Sequence, residues 1–280
     1  MIFLDLSGIF YLSLYSLEKN NIELSKESLT RSLAQSIYWY NSKFSEKYGH
    51  LVICCDSPSN WRRDVFPYYK QKRRDKRSSD EKDWNHIYNL FSMVKADFKQ
   101  NLKETVLEID GLEGDDLIAL GTRLINKHPH LIMSSDKDLT QLIDKDCGVD
   151  MYHILHKEMA EYDPRAFTLQ ILKGDRSDGI PSVLCPDDHI VNPISTRRLT
   201  KKYTDAIDVI NEETIRNAFK DLDDVDTIVR NTKRNVALID LTRIPKKYES
   251  VFKEEFSKAY NNQKNNNSEL YYKTIGINME

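Results

Sequence analysis

Three short apolar runs each stop at a carboxylate, and that repetition limits the possible folds more than any other feature of the chain. Met1 to Leu6 carries Asp5, Leu51 to Cys55 runs into Asp56, and Leu131 to Ser134 leads through Ser135 to Asp136. Runs this short and continuously apolar read as strands covered on both faces, as in a parallel sheet. Between them the apolar spacing changes to three and four. Leu29, Leu33, Ile37, Tyr40, Phe44 and Tyr48 follow a capping Ser25, and Ile87, Leu90, Phe91, Val94 and Phe98 follow a capping Asp83. Such periods mark helices that bury one face. Alternating strands and helices predict an α/β fold, with a mostly parallel central sheet flanked by helices in three layers.

A fourth stretch repeats the theme with more charge. Val106 to Ile109 reads as a strand, Gly111 and Gly114 mark a turn, and Glu113, Asp115 and Asp116 open a helix carrying Leu117, Leu120 and Leu124. One or two acids at a helix start are ordinary, because the unpaired amides and the macrodipole there favour negative charge. Three are harder to explain that way. Asp138, Asp175 and Asp178 extend the set, and in a parallel sheet all carboxyl ends share one edge, where ligand sites form. Acids converging there would repel one another unless cations sat among them. Hard oxygen donors select Mg²⁺ or Mn²⁺. Two such ions about 4 Å apart suit in-line phosphodiester cleavage.

At 280 residues the chain can bury a full core, and 40% hydrophobic residues with 30% charged ones fit a soluble globular protein. It shows neither an apolar run of membrane-spanning length nor a signal-peptide pattern, so a cytoplasmic protein with no membrane partner is expected. Cys54, Cys55, Cys147 and Cys185 contain no C-x-x-C pair, which points to reduced thiols. Charge is unevenly spread. Residues 62–77 hold Arg62, Arg63, Lys70, Lys72, Arg73, Arg74, Lys76 and Arg77 against Asp64 and Asp75, a local +6 within a chain of net −3. With Phe66, Tyr68 and Tyr69 interleaved, this segment reads as a phosphate-backbone clamp with a stacking platform. Trp61 and Trp84 read as packing residues beside it. His153-x-x-His156 lacks neighbouring ligand types and reads as structural or exposed.

After Pro181 the texture changes. Pro186 and Pro193 break the pattern, Arg197, Arg198, Lys201 and Lys202 cluster, and helical spacing resumes through Ile207, Ile215 and Phe219. Asn235 to Leu241 is a short apolar run, and Asn261 to Asn267 reads as a mobile loop. The expected organisation is a domain over residues 1–180, with a basic arch segment at about 61–90, and a helical C-terminal region over 181–280.

These motifs resemble the flap endonuclease / 5′ nuclease superfamily, and within it the ribonuclease H group of T-even-like bacteriophages. The matching stretches are Ile2 to Asp5, Leu51 to Asp56, Trp61-Arg62-Arg63-Asp64 with Tyr68-Tyr69-Lys70, Glu113-Gly114-Asp115-Asp116, Ser134 to Asp138 and Leu172 to Asp178. Leu238-Ile239-Asp240 adds a weaker match. The resemblance implies a PIN/5′-nuclease-like fold and a 5′→3′ exonuclease or flap endonuclease that uses two Mg²⁺, with Mn²⁺ as a substitute. It places Asp5, Asp56, Glu113, Asp115 and Asp136 around the tighter metal, Asp138, Asp175 and Asp178 toward the second, and Asp116 in the outer shell. It makes Lys70 the lysine that contacts the scissile phosphate and Tyr69 an aromatic near the 5′ terminus. Arg73, Arg74 and Arg77 remain alternatives for the arch arginine. Branched or nicked DNA and RNA–DNA duplexes would be its substrates. Removal of RNA primers and adjoining DNA in phage lagging-strand synthesis would be its task, as a monomer in the infected cell. A single-strand-binding protein and a sliding clamp are partners of that family.

The chain departs from the family where a glycine-rich hairpin between two helices usually grips duplex backbone. Gly179-Ile180-Pro181-Ser182-Val183-Leu184-Cys185-Pro186 keeps the opening and loses the later glycines that let such a hairpin bring its backbone to duplex phosphates and the family's usual monovalent cation. Arg197, Arg198, Lys201 and Lys202 are expected to supply phosphate contacts instead. Two other classes remain. A PIN-type single-strand ribonuclease shares the sheet and several acids but lacks the arch, and a non-catalytic binder of branched nucleic acid would have lost metal acids. A phosphatase of the haloacid-dehalogenase type needs a second Asp two residues after the first, and Ser7 stands there.

Overall fold

The computed structural model describes residues 1–279. The chain forms two compact units that interleave along the sequence. Met1–Asn60, Asp83–Glu161 and the segment from Pro245 onward make the first, and Trp61–Lys82 with Tyr162–Ile244 the second. The division does not follow the boundary expected at residue 180, and packing explains why. Phe66 and Tyr69 of the basic segment are buried in one cluster with Ile171, Ile180, Leu238 and Ile239. Tyr272 and Ile277 near the C-terminus belong instead to the core built on the strands.

The first unit is organised by a six-stranded sheet of order β3-β2-β1-β4-β5-β6. Its strands are β1 (Ile2–Asp5), β2 (Leu51–Cys54), β3 (Thr105–Leu107), β4 (His130–Ser134), β5 (Val149–His153) and β6 (Glu158–Met159). All pairs are parallel except β5 with β6. Every residue of β1, β2 and β4 is buried, which explains why their sequences do not alternate. Ile2, Leu4, Leu51, Ile53, Leu131 and Met133 pack in one core with α1 (Leu6–Lys19), α2 (Lys26–Tyr48) and α5 (Trp84–Asn101). Phe3, one residue out of phase with Ile2 and Leu4, faces α6 (Gly114–Leu124), where a Cβ on Gly121 would stand 2.3 Å from the Phe3 ring. α11 (Lys247–Gln263) lies against α6 and β3.

β3 is an edge strand, and edges left open invite pairing with other chains. Here Gln263 closes it: its Oε1 accepts the Val106 amide at 2.7 Å. The next residues, expected as a mobile loop, form a tied joint. Asn266 donates to the carbonyls of Gln100 and Leu102, and Asn267 caps α12 (Ser268–Thr274). No helix among the described residues is long and apolar enough to cross a membrane.

Two histidines tie the first unit to neutral pH. His130 is fully buried against Phe3, and His50 is half-buried, bonded to the Thr105 hydroxyl at 2.8 Å. Burial pushes both down to about 4. Because the folded values lie below the ordinary one, the unfolded chain takes up protons first. Their stabilisation is complete above about pH 6.5 and is lost as pH falls toward 4, on the order of 2–3 kcal/mol for each. In denaturant titrations at pH 7 and pH 4.5, His50→Gln should lose less stability on acidification than the wild type. An equal loss in both proteins refutes this account.

The second unit contains α3 (Trp61–Val65), α4 (Gln71–Ser78), α7 (Pro164–Lys173), α8 (Lys201–Thr204), α9 (Glu212–Ala218) and α10 (Val225–Ile239). Besides the Phe66 cluster it has a second core of Leu172, Val183, Tyr203, Ile207, Ile215, Phe219 and Ile228. Asp163 caps α7 with Pro164 in its first turn, as the Asp-Pro pair predicts. The apolar run beginning at Asn235 is not a separate element but the last turn of α10. Between Lys173 and Lys201 the described chain has no helix.

Candidate functional site

The strand order places a switch beside β1. The chain moves from β1 out to β2 and β3, then returns to start β4 on the other flank. Loops leaving such neighbours diverge and open a crevice at the carboxyl ends. Asp5 ends β1 there. Its Oδ2 accepts the Ser134 hydroxyl at the end of β4 (2.7 Å), and its Oδ1 accepts the Gly8 amide, capping α1. Asp56, just past β2, is exposed and accepts the Ser7 hydroxyl and the Gly114 amide, both at 2.7 Å. Two glycines make room for this approach. A Cβ on Gly8 would lie 3.1 Å from Asp5 Oδ2, and one on Gly114 would lie 3.3 Å from Asp56 Oδ1.

Electrostatics mark the same place. The Asp5 carboxyl is pushed up to about 6, first by burial and then by repulsion from Asp56, with a smaller push from Asp136. The Ser134 and Gly8 bonds oppose that rise without cancelling it. Asp136 is exposed and caps the 3₁₀ turn Lys137–Leu142, accepting the Asp138 amide at 2.9 Å. Asp138 and Asp115 are half-buried, Glu113 is buried at the start of α6, and Asp116 is fully buried. Asp116 Oδ2 accepts the Glu113 amide at 3.0 Å, so it fastens the start of α6 from inside.

This donor set fits a hard divalent cation. A positive ion beside Asp5 offsets both the burial and the like-charge repulsion that raise its carboxyl. Among the described residues no three Asp, Glu, His or Cys side chains already stand in a metal-holding arrangement. The carboxylates are instead held by serine hydroxyls and backbone amides. Handing a carboxylate oxygen from a hydroxyl to a cation gives up a charge-assisted hydrogen bond of about 1.5–3 kcal/mol, which direct attraction to the cation replaces.

The remaining expected residues lie in the second unit. Asp175 Oδ1 accepts the Ser177 amide and hydroxyl and the Asp178 amide, forming a tight turn. Asp178 Oδ1 pairs with Arg73 Nη2 at 2.7 Å, and its Oδ2 accepts the Tyr69 hydroxyl at 3.1 Å and lies 3.8 Å from Lys70 Nζ. Lys70 takes the left-handed conformation (φ 53°), and its amide donates to the Asp178 carbonyl at 2.7 Å. Of the three arginine alternatives, Arg73 also bonds the Ser177 carbonyl, whereas Arg74 turns back to the Tyr69 carbonyl at 2.6 Å and Arg77 stands further along α4. Arg197, Arg198 and Lys201 are exposed, and Lys202 pairs with Asp221 at 2.5 Å.

Two readings of the basic segment change. Tyr69 is 2% exposed, with its ring inside the Phe66 cluster, so it offers no open face for stacking in this structure. The half-buried Tyr68 is the more accessible ring. Arg62, counted as part of the positive run, is 3% exposed, lies over the Trp61 ring and donates to the Leu238 carbonyl at 2.9 Å. It braces the segment rather than facing solvent. The sequence reading also missed Ser7, Gly8 and Ser134. The signal available was their position next to strand-ending acids, where small residues let carboxylates approach.

A parallel sheet of order 3-2-1-4-5, with carboxylates crowded at the carboxyl end of its central strand, defines a PIN-like α/β nuclease fold. Residues 1–171 match the family described as 5′-3′ exonuclease, N-terminal resolvase-like domain, and the chain belongs to that family. It is 29% identical over 234 residues to the ribonuclease H of enterobacteria phage T4, covering 79% of this chain and 75% of that one. It is also 31% identical over 160 residues to a 5′-3′ exonuclease of Mycoplasma pneumoniae, about half of each chain (51% and 52%). Among solved structures, the bacteriophage T5 5′-exonuclease with zinc ions bound superposes with a TM-score of 0.62 at 16% identity, over 93% of this chain and 99% of that one. The bacteriophage T5 flap endonuclease in a pseudo-enzyme–product complex with DNA and metal ions gives 0.60 at 15% identity, covering 93% and 98%.

Proposed function

We propose that this member of the 5′-3′ exonuclease family is a Mg²⁺-dependent 5′→3′ exonuclease and flap endonuclease. It acts on RNA–DNA and DNA duplexes and removes RNA primers with adjoining DNA during phage lagging-strand synthesis. The observation that carries the reading is the approach of Asp56 and Asp136 to a buried Asp5, whose carboxyl is pushed up to about 6 by burial first and then by these like charges. With Glu113, Asp115 and Asp138 they are the residues that would hold divalent ions. By the sequence motif, Asp175 and Asp178 serve a second ion, and Asp116 acts through its bond to the Glu113 amide. Two Mg²⁺, or Mn²⁺ in their place, supply activation of water and stabilisation of the leaving oxygen.

The chain's own groups do the rest. Lys70 presents its ammonium to the scissile phosphate and offsets charge as it develops. Arg73, Arg77, Arg197, Arg198 and Lys201 follow the phosphate backbone, and binding therefore weakens steeply with salt. Tyr69 contributes indirectly, by holding Asp178 beside Lys70. The products carry 5′-phosphates. The protein works as a monomer in the cytoplasm of an infected bacterium, beside a single-strand-binding protein and a sliding clamp.

The test is a product map on a 5′-labelled flap and an RNA-primed nick, with Mg²⁺ and with chelator. Short 5′-phosphorylated products should appear with Mg²⁺ only, and Asp136→Asn should lose cleavage while keeping binding. Intact substrates under conditions where a control nuclease digests them would defeat the reading. Preferential cutting of unstructured RNA would move the protein to the single-strand ribonucleases.

A further inference from the structure

In the second unit the chain from Pro181 to Asp187 runs through turns and irregular backbone, without helix or strand pairing. Its carbonyl groups must find donors elsewhere or stay unsatisfied at a cost. One helix supplies donors to those of Pro181, Ser182, Val183 and Cys185. Asn231, Arg234 and Asn235 stand at i, i+3 and i+4 on α10, the spacing that puts side chains on one face. Both asparagines are essentially buried, at 1% and 0% exposure, and the Arg234 side chain is 9% exposed.

Their bonds form one connected network. Asn231 Nδ2 donates to the carbonyls of Val183 (2.8 Å) and Cys185 (3.1 Å). Asn235 Nδ2 donates to those of Ile171 (2.7 Å) and Pro181 (3.0 Å). Arg234 Nη2 donates to Pro181 O at 3.0 Å and reaches Ser182 O at 3.4 Å. The rest of the guanidinium joins the two amides. Its Nε donates to Asn235 Oδ1 at 2.9 Å, and its Nη1 to Asp187 Oδ1 at 2.5 Å and Asn231 Oδ1 at 3.4 Å. Arg230 adds a second guanidinium to Asn231 Oδ1 and Asp187. Five carbonyls thus turn toward one positive group and the two carboxamides it polarises.

Clustered carbonyl oxygens are also what replaces the hydration shell of a monovalent cation. Here the positive charge is covalent, planar and supplied with several donors. We propose that Arg234, extended by Asn231 and Asn235, is a built-in cation for the 181–185 loop. It holds that loop without a bound monovalent ion and positions the adjoining Asp175–Ile180 turn, which the Ile180 amide closes onto the Asp175 carbonyl at 2.7 Å. The sequence loses glycines in this stretch because its backbone is held by side chains of α10 rather than by exposed amides.

The test is hydrogen exchange of the full chain, read by mass spectrometry on peptides covering 171–187, in potassium, lithium and choline chloride at one ionic strength. Wild-type protection should be the same in all three salts. Arg234→Ala should speed exchange of these peptides about tenfold or more and leave peptides from β1, β2 and β4 unchanged. Free methylguanidinium should restore the protection and choline should not, a rescue that a general packing defect does not show. If Arg234→Ala does not fold, Asn231→Asp, which keeps the shape and loses the donors, takes its place with the same expected loss. Protection that depends on potassium in the wild type, or that survives both substitutions, overturns the proposal. The measurement contains neither nucleic acid nor divalent ion, so its failure is separate from failure of the nuclease reading.

Discussion

Asp5→Asn is expected to lower phosphodiester cleavage by about 10²–10³-fold or more while making the metal-free protein more stable. The two effects share one cause. Asp5 is 7% exposed, and its carboxyl is pushed up to about 6 by burial and by Asp56 and Asp136. At pH 7.5 it is ionised nonetheless, so the folded state holds an ill-solvated charge beside like charges. Asparagine has the same shape. Its oxygen can still cap α1 through the Gly8 amide, and its NH₂ can donate to the Ser134 hydroxyl, so only the charge is lost. The relief is worth about 1–3 kcal/mol. Urea unfolding in chelator should show a higher midpoint for the variant, and adding Mg²⁺ should stabilise the wild type more than the variant. A variant less stable in chelator, or one cleaving within tenfold of the wild type, would falsify the assignment of Asp5 as an electrostatically strained metal ligand.

Gly179→Ala is expected to reproduce most of the catalytic loss of Lys70→Ala, although residue 179 carries no side chain to lose. Gly179 has φ +77°, and a Cβ there would stand 2.6 Å from the Tyr68 carbonyl oxygen and 3.3 Å from the Lys70 amide nitrogen. The obstacle is backbone, which cannot swing aside as a long side chain would. Left-handed alanine costs about 1 kcal/mol and the clash adds more, for a local penalty of about 2–4 kcal/mol. The chain can escape it by releasing the bond from the Lys70 amide to the Asp178 carbonyl, which frees Lys70 from its own left-handed conformation. Cleavage should then fall by about 10²-fold. Proteolysis within residues 70–82 should speed up, while the unfolding midpoint of the sheet unit stays near that of the wild type. Normal cleavage by Gly179→Ala shows that this backbone contact does not set the position of Lys70.

The strands were legible because β1, β2 and β4 are buried on both faces, and such strands must be apolar throughout. Asp5 and Asp136 were legible as strand-ending acids because each also caps the turn or helix that follows, a local role with a local signature. Their neighbours were not. The bond between Asp56 and Gly114 spans 58 residues and that between Asp5 and Ser134 spans 129; the first follows from β2 lying beside β3 and the second from β1 lying beside β4. Charge misled where burial decided the outcome. Arg62 looked like part of a solvated run because nothing local reveals that Trp61 and the Leu238 carbonyl will cover it. Tyr69 looked available for stacking because its place in the Phe66 cluster depends on residues about a hundred or more positions away.

By itself, then, the sequence determined the α/β alternation, the acids at the strand ends and the family, since each is written in periods and spacings a few residues long. Tertiary structure decided which carboxylates repel one another, which cations brace rather than bind, and how the irregular loop after Asp178 is held. Those outcomes depend on desolvation and on donors matched to distant carbonyls, and neither exists until the chain has folded.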